Sequence, residues 1–275
     1  MAQEPLCRRR NDTEPRMTRA SAAGRPAYRT SLAALSAAQK SSRGTAAYGR
    51  YVNRPLGRRV AATAHVVGLT PNGASVISAT LSAAAIATLA LVEPSPLMAV
   101  AVAVLLAAGY VMDSVDGQLA RLRGEGSLSG EWLDHTIDCV KTSALHLAVL
   151  VSWYRYPPVD EPAALLVPLG YELVAAVLYF GLILMPVMRA KGRDRLPDPP
   201  GASVEGGSAT REHPLRTWLI LPTDYGFLCW LFLLMAWPLA FFWAYTAMMV
   251  LSGGMLALAL RKWWRELRAL DRLVA

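Results

Sequence analysis

Four aspartates stand close together where a long apolar run ends. Asp113 and Asp116 belong to Asp113-Ser-Val-Asp116-Gly117-Gln-Leu-Ala120-Arg121, and eight residues later Asp134 and Asp138 belong to Gly130-Glu-Trp-Leu-Asp134-His-Thr-Ile-Asp138. An unpaired charge beside lipid is costly and marks function. At about 100° per residue, Asp113, Asp116, Gly117 and Ala120 share one face of a helix, and Gly130, Asp134 and Asp138 share one face of the next. Two acidic faces then meet across a short turn. Hard divalent cations take oxygen ligands, so converging carboxylates suit one or two Mg²⁺ or Mn²⁺ ions and exclude a thiol-seeking metal. Gly117 and Ala120 carry almost no side chain on that face, which lets a bulky ligand lie against the backbone, and Arg121 offers a planar donor fork for phosphate oxygens. The chemistry these residues suit is that of a metal-bound diphosphate.

The elements that must hold them are membrane helices. Of the chain, 54% is hydrophobic and 17% charged, an apolar excess beyond that of a soluble domain. The predicted fold is all-α and polytopic, with six transmembrane helices over 69–262. The spans begin at Thr70, where Thr70 caps and Pro71 takes the first helical position, and run to about Val92, then Leu97–Leu122, Glu131–Trp153, Ala163–Met188, Trp218–Ala236 and Leu239–Leu260. Before them, 1–45 is Arg-, Ser- and Ala-rich without apolar periodicity and is expected to be disordered. Residues 46–68 read as a juxtamembrane amphipathic helix, with Tyr51, Leu56, Val60 and Ala64 recurring opposite the arginines. After the spans, 263–275 is a basic tail.

Charge sets orientation and excludes partners. Arg and Lys crowd the N-terminus, the 189–217 loop and the tail, whereas the turns at 93–96, 154–162 and 237–238 hold only Arg155. By the positive-inside rule both ends and the aspartates face the cytoplasm, and the expected location is the plasma membrane. The net charge of +8 gathers at segment ends, so the partner is membrane lipid, not nucleic acid. Cys7, Cys139 and Cys229 are too scattered for a disulfide framework or a zinc site. A divalent cation transporter is the reading from another class. It needs acidic groups continuing to the far face, where only Glu172 and Asp224 stand in later spans.

The spacing D-x2-D-G-x2-A-R-x8-G-x3-D-x3-D resembles the signature of the CDP-alcohol phosphotransferase family of membrane enzymes, with every fixed position matched between Asp113 and Asp138. The resemblance implies attack of an acceptor hydroxyl on the phosphorus that carries the alcohol in a CDP-alcohol, with release of CMP. It implies two metal ions on Asp113, Asp116, Asp134 and Asp138, with Asp138 also the base, and CDP-alcohol contacts at Gly117, Ala120, Arg121 and Ser127. Asn72, in the Pro-Asn turn that opens the first span, is a further binding candidate or a plain capping residue. CDP-diacylglycerol is the expected donor and a phospholipid the product, with CDP-inositol as the soluble alternative. A phosphorylated acceptor would need a second anion site, for which Lys141, Arg189, Lys191 and Arg193 are candidates. His135 is expected to pack rather than react, and a homodimer is a candidate assembly.

Overall fold

The computed structural model describes residues 28–37, 47–124, 126–195 and 223–274. These are helical, without strands. In order they form α1 (Tyr28–Ala37), a π-helical turn (Gly49–Asn53) running into α2 (Arg54–Val66), α3 (Pro71–Leu91), α4 (Pro96–Arg123) and α5 (Leu128–Arg155). A 3₁₀ turn (Pro162–Leu165) then leads into α6 (Leu166–Arg193), and α7 (Tyr225–Leu231) is followed by a 3₁₀ turn (Phe232–Ala236) and α8 (Pro238–Val274). Among the described residues, α3, α4, α6 with its preceding turn, and α8 are long and apolar enough to cross a membrane. The protein is an all-α membrane protein. α5 is as long as α4 but carries the site's charges, which lower its hydropathy.

Local chemistry sets the boundaries. Thr70 Oγ1 accepts from Gly73 N at 3.1 Å with Pro71 at the first helical position, Ser95 caps α4 with Pro96 behind it, and Ser127 Oγ accepts from Gly130 N at 3.1 Å to start α5. α4 stops at Gly124, whose φ of 66° is the left-handed conformation that glycine adopts without penalty. Four residues then turn the chain from α4 into α5, bringing the two acidic stretches together. α3 and α4 approach closely: a Cβ on Gly109 would meet Ser82 Oγ at 2.6 Å and Ser78 O at 3.3 Å. Close backbone approach through small residues is how helices associate where lipid removes the hydrophobic drive.

The interior divides into two parts. Away from the aspartates an aromatic core joins Trp153, Phe232, Phe241 and Tyr245 with the imidazole of His146, whose Nδ1 lies 2.6 Å from Tyr245 Oη. Behind the acidic stretch, a smaller cluster of Leu35, Ala61, Ala62, Ala64, Val115 and Leu119 packs α1 and α2 onto α4. Large apolar side chains stand exposed along the helices, among them Leu97, Val100 and Val104 of α4 and Leu173, Phe180 and Val187 of α6.

Three features depart from the expectations. Residues 28–37, expected to be disordered, form α1, because Leu35 buries itself at 1% exposure against α2 and docking supplies what a short helix lacks. The rest of 1–45 lies outside the described residues, as do 196–222 with Arg211, Arg216 and the start of the expected fifth span. In the juxtamembrane segment Tyr51 and Leu56 are exposed, but Ala64, expected on the same face, is buried with Ala61 and Ala62 against protein. The expected basic tail continues α8. With 37 residues this helix is about 55 Å long, well beyond a hydrocarbon core of about 30 Å. Its projecting part lies along α6, where Gly192 meets Leu270 and Arg189 pairs with Glu266.

Candidate active site

The carboxylates converge where α3, α4 and α5 meet. Asp113, Asp116 and Asp134 each bring one oxygen within 4.8 Å of the other two, a trio that could hold a metal ion. Ser75 Oγ of α3 donates to Asp116 Oδ2 at 2.7 Å, and Asp116 Oδ1 accepts from Gly117 N, which fixes this buried carboxylate. Ser78 Oγ lies 3.4 Å from Asp113 Oδ1 and donates to Gly109 O at 2.9 Å. The fourth carboxylate joins the trio through Asp113, which lies beside it and shares the Lys141 ammonium with it. Asp138 Oδ1 accepts from Lys141 Nζ at 2.6 Å, and the same ammonium contacts Asp113 Oδ1 and lies 3.4 Å from Ser78 Oγ. Hard oxygen donors without a thiol or imidazole in the trio fit a Mg²⁺-type ion.

Two chambers share this wall. The outer pocket, of about 650 Å³, is lined by Asn72, Ser75, Gly117, Ala120, Arg121 and Ser127, with Asp116 and Asp134 on the carboxylate side. The inner cavity, of about 250 Å³, has Asp113, Asp138 and Lys141 at the shared wall and Val174, Leu178 and Leu228 among its apolar lining. Space in the outer pocket depends on Gly117, since a Cβ there would meet Arg121 Nη1 at 3.3 Å. A diphosphate placed in the outer pocket and a hydroxyl in the inner cavity would meet at the four aspartates.

Every residue expected to contact the CDP-alcohol, namely Asn72, Gly117, Ala120, Arg121 and Ser127, lines the outer pocket. The acceptor candidates are not brought together. Lys141 is taken up by Asp113 and Asp138, and Arg189 donates through Nε and Nη2 to Glu266 at 2.7 and 3.0 Å. Neither Arg189 nor the exposed Lys191 lines either chamber. His135 does not pack inward as expected: it lines the outer pocket, with Nε2 3.9 Å from Glu131, and its carbonyl accepts from Tyr179 Oη at 2.6 Å. Sequence reasoning missed Ser75 and Ser78. Their signal is the stripe Ser75, Ser78, Ser82 at helical spacing in α3, hydroxyls that could reach a neighbouring polar helix.

Residues 68–259 match the sequence model of the CDP-alcohol phosphatidyltransferase family, and the chain belongs to that family. It is accordingly a transferase of substituted phosphate groups, and the aspartate trio accords with the divalent-metal dependence of its family. Among solved structures, the chain is similar to the crystal structure of Mycobacterium tuberculosis phosphatidylinositol phosphate synthase (PgsA1) with CDP-DAG bound. The identity is 24%, the match covers 78% of this chain and 94% of that one, and the TM-score is 0.46. No curated protein matches.

Proposed function

We propose that the protein transfers a substituted phosphate from CDP-diacylglycerol to an acceptor alcohol, releasing CMP, in phospholipid biosynthesis. The observation that carries this reading is the pair of chambers meeting at one carboxylate wall, because a two-substrate transfer needs donor and acceptor to converge on one phosphorus. The CDP moiety lies in the outer pocket against Gly117 and Ala120, with Arg121 and the Ser127 hydroxyl on diphosphate oxygens and Asn72 at the rim. The acceptor hydroxyl reaches the same phosphorus from the inner cavity, where Asp138 takes its proton as the new P–O bond forms. The phosphoanhydride bond breaks and CMP leaves with its electron pair.

Phosphoryl transfer needs alignment and charge neutralisation more than covalent help, so rigid carboxylates are the useful part. Asp113, Asp116, Asp134 and Asp138 form the metal-binding set we propose, with the first three as the principal ligands of a Mg²⁺ or Mn²⁺ ion. When bound, the metal supplies positive charge to the diphosphate. The Ser75 and Ser78 hydroxyls hold Asp116 and Asp113 in register, so α3 acts as a brace.

We further propose six spans, α3, α4, α5, α6, α7 with its following 3₁₀ turn, and α8, in the plasma membrane with the site facing the cytoplasm. The basic residues crowding that side support this orientation. Cysteine placed at Ser129 is then labelled only from the cytoplasmic side and cysteine at Val159 only from outside; the reverse pattern refutes the topology. The reaction is tested by incubating purified protein with CDP-diacylglycerol, Mg²⁺ and a panel of phosphorylated and unphosphorylated alcohols. CMP release that depends on one of them is expected. Absence of release across the panel, with donor binding intact, contradicts the reading.

A further inference from the structure

The inner cavity ends in polar groups away from the reacting carboxylates. From Asp138 the face of α5 that lines it continues through Thr142 to His146, about 12 Å further along the helix axis. There the imidazole, 2% exposed, stacks on Tyr171 with ring centroids 4.1 Å apart, and its Nδ1 lies 2.6 Å from Tyr245 Oη. Ser252 Oγ of α8 donates to Tyr171 Oη at 3.4 Å, and His146, Tyr171 and Ser252 all line the cavity. Nearer the carboxylates stands Tyr225 of α7, whose ring meets that of Tyr110, one turn before Asp113, at 5.3 Å. Tyr225 lines the cavity too, and its Oη is shut from solvent with no hydrogen-bond partner among the described residues. Polar groups inside a membrane bundle are costly and mark function, and leucine would close this end of the cavity at less cost.

We propose that the acceptor is a small uncharged polyol, with its reacting hydroxyl at Asp138 and others on Tyr225 Oη and on the floor made by Ser252 and His146. The inference rests on the reading of the inner cavity as the acceptor's side of the transfer. Three physical points carry it. Hydroxyls and an imidazole offer single hydrogen bonds that suit an alcohol, whereas a phosphate ester calls for a guanidinium or an ammonium. Among the described residues that line the cavity, the one Lys or Arg side chain is Lys141, held by Asp113 and Asp138, and Asp224 adds a third carboxylate, so the wall repels an anion. Finally, a cavity of about 250 Å³ holds a small molecule and not a lipid. The reacting hydroxyl gives its proton to Asp138 and its oxygen to the phosphorus as CMP leaves. The other hydroxyls stay intact and orient the molecule, and one of them supplies the partner that Tyr225 Oη lacks.

The test pairs acceptors that differ by one phosphate. Purified full-length protein in detergent, with CDP-diacylglycerol and Mg²⁺, is given glycerol, inositol and a hexitol, each beside its monophosphate. CMP release is expected with a free polyol, at a kcat/KM at least tenfold above that of its monophosphate. Tyr225→Phe and Ser252→Ala are each expected to raise the KM for that polyol roughly three- to tenfold, the worth of one neutral hydrogen bond, with kcat and the donor KM unchanged. A preference for the monophosphate, or an acceptor KM that neither substitution moves, would overturn the proposal. If Tyr225→Phe fails to elute as a folded species, Ser252→Ala and the matched pairs still decide. Binding is read separately, by equilibrium dialysis of the radiolabelled polyols and monophosphates, and failure of every free polyol to bind also overturns the proposal. No CMP release from any acceptor, while a free polyol binds in preference to its monophosphate, sinks the transfer reading and leaves the cavity's preference standing. CMP release with a monophosphate alone does the reverse.

Discussion

The outer pocket is walled by Asn72, Ser75, Gly117, Ala120, Ser127 and Gly130, side chains that end within a few atoms of the backbone, whereas the inner cavity is walled by Val174, Leu178, Leu182, Leu228 and Tyr225. The first is the wider and the more polar, at about 650 Å³, and the second is smaller and mostly apolar, at about 250 Å³. A nucleoside diphosphate carries charge that must stay solvated or be met by donors, which suits the outer pocket. A nucleophilic hydroxyl is less heavily solvated among apolar side chains, which suits the inner one. Between them stand the aspartates, Asp116 and Asp134 on the outer pocket and Asp113 and Asp138 on the inner cavity. The difference teaches that small residues in a membrane bundle serve two purposes: Gly109 lets α3 and α4 touch, and Gly117 keeps them from filling a site.

Substitutions at the shared wall test the comparison most severely. Asp113→Asn and Asp134→Asn are each expected to lower CMP release by about 10³-fold or more, with normal elution and helicity, since they remove preorganised charge at the reacting phosphate. Near-normal turnover in purified Asp134→Asn would remove the wall from the account. Next in size is a block of one chamber. Gly117→Leu fills the outer pocket beside Arg121 and is expected to raise the KM for CDP-diacylglycerol about tenfold or more while leaving the acceptor KM unchanged. Leu178→Trp fills the inner cavity and should produce the opposite split, a raised acceptor KM with an unchanged donor KM, by a smaller factor because the cavity is already narrow. If both substitutions shift the same KM, the chambers do not divide the substrates.

Far from either chamber, Arg189→Ala should cost little. The Arg189–Glu266 pair has two good hydrogen bonds but side chains about one-third exposed, 31% and 34%, so its loss is expected to cost about 1 kcal/mol or less, read as a small drop in thermal midpoint. Its acceptor KM is expected to stay the same. A large change in that KM would return Arg189 to the acceptor site that its position in the sequence suggested.

Much of this was legible before any coordinates. The spacing of Asp113, Asp116, Asp134 and Asp138 dictates one face on each of two consecutive helices, because helical periodicity is local and needs no tertiary knowledge. Thr70 announces a helix start for the same reason, through a bond made within three residues, whereas Ser127, read only as a CDP-alcohol contact ahead of a span starting at Glu131, proves to cap α5. What was illegible depends on contacts distant in sequence. Ser75 meets Asp116 across 41 positions, Lys141 meets Asp113 across 28, and Arg189 meets Glu266 across 77, and none of these is fixed by local propensity. Lys141 read as a candidate for the acceptor's anion site because its bond to Asp113 appears only when α4 and α5 are packed. α1 was missed because an Ala- and Ser-rich decapeptide is helical only once Leu35 has a surface to dock on.

The central claim is that the four aspartates form a metal-dependent centre for phosphotransfer, and metal depletion tests it most directly. Purified protein is stripped with a chelator, supplied with CDP-diacylglycerol and a competent acceptor, and CMP release is followed as Mg²⁺ is restored. The account predicts release at background in the chelator, recovery on adding Mg²⁺, and no recovery in Asp113→Asn. Undiminished CMP release in the stripped protein would contradict it.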